Sequence, residues 1–197
     1  MPRILPTIAE PRTRDEILSE LGELHRASRE YWASFPTAGF VAPIGSSWSP
    51  ADTVRHLTKS IRPVAKALRL PRLALALLFG PARRPSRSFA EIRDAYRARL
   101  TQGVDAGRFA PRPMTEPADV EAYRARITDF HEQAAAALAA GLTRWPEKSL
   151  DRYRLPHPVL GKLTVREMLF FTLYHNLHHV LVVERRLAGA RAETGDS

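Results

Sequence analysis

LTVREMLFFTLYHNLHHVLVVERRL, residues 163 to 187, reads as a helix meant for a protein interior, yet it carries His175, His178 and His179 within five positions. At about 100° per residue, His175 and His179 lie one turn apart on one side, close to the direction of Met168, Phe171 and Val182. That side faces the core. His178 is rotated away toward Glu167, Tyr174 and Arg185, at a boundary. A histidine on a packed helix is often only a hydrogen-bonded core residue. The i, i+4 pair, however, is also the spacing by which one helix presents two neutral ring nitrogens to one metal ion. A third ligand must then come from elsewhere, and His25, His56, His131 and His157 are the candidates. Periodicity leaves this choice open. His56 falls beside Thr53 and Ser60, off the stripe formed by Val54, Leu57, Ile61 and Leu68, which puts it at a bundle edge. His25 and His131 sit near apolar stripes.

The rest of the chain divides at its prolines, because a proline inside a helix removes a hydrogen bond and clashes with the preceding turn. Proline-free windows open on cap signatures at Thr13 with Glu16, Ser49 with Asp52, Ser88 with Glu91 and Thr164 with Glu167. Pro50 occupies the favoured first-turn position, and Gly141 and Gly189 suit helix ends. Four long helices are expected at about 14 to 34, 50 to 69, 118 to 140 and 165 to 187, with a short accessory helix at about 89 to 102. Pro63 is expected to bend the second or end it early. No window alternates with period two, so no strand is expected. The fold class is therefore all-α: a four-helix bundle with a long crossover between the second and third helices and the accessory helix outside it. Residues 1 to 12 read as an N-terminal extension, 13 to 188 as the bundle domain and 189 to 197 as a mobile tail.

With 197 residues the chain can build one substantial core unaided. It has no cysteine, which excludes a disulfide framework, a thiolate metal site and a catalytic thiol of its own. The longest apolar run, LALALLF at 73 to 79, is far shorter than the roughly 20 residues a membrane-spanning helix needs. The first residues lack a signal-like apolar stretch. A cytoplasmic protein with no membrane span is expected. Charge is concentrated: residues 55 to 72 hold six cations and no acid, and residues 83 to 112 hold eight arginines against three acids, a local +11 that exceeds the +9 of the whole chain. A solvated surface, an anionic small substrate, nucleic acid and an acidic membrane surface all fit such a patch. Sparse aromatic interleaving argues against nucleic acid.

Trp48-Ser49-Pro50 opening a helix with His56-Leu57 in its second turn, then His157-Pro158, Gly161-Lys162-Leu163-Thr164 and His175-Asn176-Leu177-His178-His179, together resemble the DinB/YfiT-like superfamily over roughly residues 14 to 188. That resemblance implies a four-helix bundle, often a homodimer, binding a divalent metal, zinc or nickel, through His56, His175 and His179. His178, Tyr174 and His157 would stand around the metal or line its pocket. Family members often follow the last histidine with arginine, glycine and glutamine, where this chain has Val180, Leu181 and Val182, so the wall beyond the metal differs. Three neutral ligands leave the ion's charge uncompensated and a coordination position open, which suits activation of water or of a small thiol. The resemblance implies a metal-dependent enzyme, such as a low-molecular-weight-thiol-dependent S-transferase acting with an anionic thiol and a small-molecule substrate. The alternatives are a non-catalytic stress or interaction protein with a structural metal, or a basic binder of nucleic acid or membrane surfaces. No carboxylate shares the His175 and His179 face, so no general base is named. A homodimer is also expected because Leu169, Phe170, Leu173, Leu177 and Leu181 cover the remaining directions of the helix and need a neighbour. Metal affinity is expected to fall as pH drops through roughly 6.5, where free imidazole protonates.

Overall fold

A computed structural model describes residues 5–112 and 117–194. The expectations that touch 1 to 4, 113 to 116 and 195 to 197, parts of the extension, the crossover and the tail, lie outside the described residues. The helices are α1 (Arg14–Ala33), α2 (Thr37–Val41), α3 (Pro50–Leu68), α4 (Arg72–Phe79), α5 (Phe89–Thr101), α6 (Val120–Leu142) and α7 (Val165–Thr194). A hairpin of β1 (Arg154–His157) and β2 (Gly161–Thr164) precedes α7.

α1, α3, α6 and α7 form the expected bundle. α1 and α3 each pack on both α6 and α7, so each pair sits on a diagonal. The crossover carries α4 and α5, and α5 lies on the outer side of α7 as expected. Phe89, Ile92 and Tyr96 of α5 are buried there, with edge-on ring contacts from Phe89 to Phe170 and from Tyr96 to Phe171. Leu169, Phe170 and Leu173 are accordingly covered within the chain. Over those residues, the apolar circumference that pointed to a second chain has its neighbour in the same one.

Local chemistry sets the helix starts. Thr13 and Glu16, and Ser88 and Glu91, form reciprocal capping boxes. At Ser49 the box is incomplete: its hydroxyl accepts from the Asp52 amide, but the short Asp52 carboxylate accepts from the Ser49 hydroxyl and pairs with Arg55. At the start of α7 the Glu167 carboxylate accepts from the Thr164 amide and the Glu167 amide donates back to the Thr164 hydroxyl. Glu167 is fully buried and also pairs with Arg84 and Arg87, which ties the crossover to the start of α7.

Four expectations are corrected. α3 does not end at Pro63 but continues to Leu68. Pro63 lies on the exposed side, where water can reach the carbonyl its ring leaves free. Gly141 is not the left-handed cap that ends a helix: it is the penultimate residue of α6, where an added Cβ would stand 3.0 Å from Leu68 Cβ, so it permits the close approach of α6 to α3. α7 runs past Gly189 to Thr194, extending the helix into the segment assigned to the tail. The strands were missed because each is four residues long and Pro156 interrupts the first. The hairpin pairs Leu155 with Leu163 and His157 with Gly161, and Gly161 adopts the left-handed φ of 75° that the return requires.

The core falls into two apolar clusters. One gathers Leu24, Ile61, Leu68, Leu138, Leu169 and Leu173, and the other gathers Tyr31, Trp32, Val54, Leu57, Ile127 and Val180. On each bundle helix polar residues stand at or beside the step from one cluster to the other: His25 and Ser28 on α1, Thr58 and the neighbouring His56 on α3, His131 on α6, and His175 and Asn176 on α7. A polar layer thus crosses the bundle at one level. The histidines of the opening segment belong to that layer.

Candidate metal centre

Three imidazoles meet at one side of the layer. His56 Nε2 stands 3.1 Å from His175 Nε2, and His175 Nε2 stands 3.2 Å from His179 Nε2. The ligand-capable atoms of His56, His175 and His179 all lie within 4.8 Å of one another. Two nitrogens bound about 2.05 Å from one ion at a tetrahedral angle would be roughly 3.3 Å apart, so the two short separations suit a shared cation.

The surroundings select the tautomers. His56 Nδ1 faces the Phe109 carbonyl at 2.9 Å, and a carbonyl can only accept, so Nδ1 carries the proton and Nε2 keeps its lone pair. The Ser60 hydroxyl donates to the Leu57 carbonyl, which leaves its oxygen as the acceptor for His175 Nδ1 at 3.5 Å. His175 Nε2 is then also a lone pair. Lone pairs aimed at one point repel one another, and a cation between them removes the repulsion. The donor set therefore fits a divalent metal.

Packing holds these rings in place. Phe171 stacks on His175, with centroids 5.0 Å apart, and Trp48 lies nearly parallel to His179 at 6.3 Å. The stretch 107 to 110 straps across α3, where Lys59 Nζ donates to the Arg108 and Ala110 carbonyls. This strap and α7 bury His56, which the stripe of α3 alone would have left at the edge. Burial is the largest cause lowering all three histidines below the ordinary 6.5, strongly so for His175 and His179, whose neighbouring imidazoles add to it. Protonation therefore competes with a metal only at a pH lower than free imidazole implies.

Two cavities adjoin the triad. The larger, about 930 Å³, is reached by His56 and His175 and walled mostly by apolar groups, among them Val64, Phe79, Leu155, Met168 and Phe171. The smaller, about 390 Å³, is reached by His56 and His179 and is polar, with Ser46, Ser47, His178 and Arg186 in its wall. Tyr96, Val104, Asp105 and Ala106 line both.

Among the expected neighbours, His157 lines the large cavity and His178 the small one, whereas Tyr174 lines neither. Tyr174 packs against Phe89, Tyr96 and His178 on the α5 side. His157 Nδ1 accepts from the amides of Val159 and Leu160, so its proton resides on Nε2. Burial lowers His157 to about 4, and burial followed by nearby arginines lowers His178 to about 4. Of the other third-ligand candidates, His131 stands beside His25 and meets Thr58 Oγ1 at 3.1 Å, away from the triad, and burial holds it at about 3.

Sequence reasoning missed Tyr96 and Asp105. Tyr96 reaches the site from α5, with its ring 5.9 Å from that of His175, and burial raises its hydroxyl to about 12. Asp105 is the carboxylate that lines both cavities, and it accepts from the Gly107 amide. Both lie in the crossover, where no motif marks them.

A family model described as the DinB superfamily matches residues 20–183. Searches of curated proteins and of solved structures return no match.

Proposed function

Because this chain belongs to the DinB superfamily, we propose that it is a metal-dependent enzyme in which His56, His175 and His179 hold one divalent ion, zinc or nickel, and that it joins an anionic thiol to an apolar electrophile. The observation that carries this reading is the convergence of three Nε2 nitrogens at a point flanked by one apolar and one polar cavity. A structural metal is usually closed off by its ligands, whereas a catalytic one keeps an open side.

An ion held there supplies Lewis acidity, which lowers the pKa of a bound water or thiol. The chain's own groups supply the rest. The large cavity takes the apolar body of the electrophile and excludes water around it. Arg186 and His178 receive the thiol's carboxylate in the small cavity. The His157 Nε2–H and the Tyr96 hydroxyl, still protonated at neutral pH, donate to polar atoms of the bound molecule.

The test offers carboxylate-bearing thiols, glutathione among them, with chlorodinitrobenzene as electrophile. A carbon–sulfur bond forms, the carbon–chlorine bond breaks, chloride leaves and the thiol proton passes to solvent. Metal-dependent chloride release that vanishes in His175→Ala supports the proposal. Stoichiometric metal without turnover of any thiol would instead support the structural-metal reading.

A further inference from the structure

Helix α4 has the sequence RLALALLF, and its apolar residues are not all turned inward. Leu75 is fully buried against the bundle, while Leu73 and Leu77, on the opposite side of the helix, are 71% and 79% exposed, and Leu78 is 64% exposed. Leu70, just before the helix, is also exposed. A contiguous apolar surface of this kind is uncommon on a protein that has no partner for it.

Its surroundings identify the partner's chemistry. Residues 53 to 90 carry nine lysines and arginines and no acidic residue. Arg62, Lys66, Arg69, Arg72 and Arg83 are exposed, and among the described residues none has an acidic partner. Arg154 and Lys162 donate to the Phe79 carbonyl at the C-terminal end of α4 and add two more cations. A second copy of this chain placed on α4 would set these cations against the same set, a repulsive arrangement. An anionic bilayer satisfies both features, taking the leucines among its acyl chains and the cations among its headgroups.

The geometry points to α4 as a membrane-contacting helix: we propose that it seats on an anionic lipid surface. Leu70 and Phe79, at its two ends, both line the large apolar cavity, as do Lys66, Pro156 and Pro158 at the rim. Seating α4 brings the cavity mouth to the bilayer, where apolar molecules concentrate. No helix among the described residues is long and apolar enough to cross a membrane, so the contact is peripheral. The proposal does not depend on the metal chemistry.

Sedimentation with vesicles tests it. The protein should pellet with an equimolar mixture of phosphatidylcholine and phosphatidylglycerol and bind pure phosphatidylcholine more than about tenfold less, because several cations lose their counter-charge. Leu73→Ser with Leu77→Ser should abolish pelleting while leaving helix content and metal content unchanged. Arg69→Glu with Arg72→Glu, which keeps the leucines, should abolish it as well. A protein that stays in solution with the anionic vesicles, or a leucine variant that pellets as well as the parent, overturns the proposal. So does a dimer, seen by light scattering, that dissociates in the leucine variant without any vesicle binding, since a second copy would then cover α4.

Discussion

His56 shows how one side chain can be legible and illegible at once. The stripe of α3 places it at an edge, and only the family resemblance joined it to His175 and His179. What the stripe could not convey is the strap from the crossover, whose Phe109 carbonyl fixes the His56 tautomer from 53 positions away. The pair on α7 was readable because both residues share one helix and its 3.6-residue period. His131, His157 and His178 permit a prediction of their own. Their folded pKa values, about 3, 4 and 4, lie below the ordinary 6.5. The unfolded chain therefore binds more protons below pH 6.5, and stability falls as the pH drops from 6.5 toward 4. At pH 5, His131 and His157 should each cost about 2 kcal/mol relative to neutral pH. Urea denaturation across this range checks the sum: His131→Asn should flatten the slope, and a stability independent of pH would contradict the assignment.

Among the elements, the four bundle helices and α5 were legible from the windows between prolines, with cap signatures marking the starts of α1, α3, α5 and α7. The hairpin and α4 were not. Two four-residue strands carry too little alternation to register, and an eight-residue helix with leucines turned outward has the pattern of neither a buried nor an amphipathic surface element. Gly141 was misread for a related reason: sequence marks a glycine near a helix end, but only packing shows that Leu68 fills the space where a side chain would be. Replacing Gly141 by Val should cost about 1–3 kcal/mol by forcing α6 away from α3, without altering metal content. Thermal melting that shows no loss of stability would mean the two helices have more room than the 3.0 Å approach implies.

In the whole molecule, a polar layer separates two apolar clusters and ends at the triad, while the crossover closes over it with a strap, a buried tyrosine and a leucine-rich helix. Glu167 ties that crossover to α7. Burial alone would raise its pKa, but hydrogen bonds from Arg84, Arg87 and two backbone amides outweigh burial and hold it at about 2. The histidines and the segments that enclose them are thus anchored to the same helix. The enzymatic function proposed for the chain depends on whether the three imidazole nitrogens share an ion. Metal analysis of protein purified without an affinity tag tests this most directly. About one zinc or nickel per chain is expected, lost in His56→Ala, His175→Ala and His179→Ala and retained in His25→Ala, His131→Ala and His178→Ala. Metal-free protein that cannot be loaded, or metal kept at full stoichiometry when His175 is replaced, would contradict it.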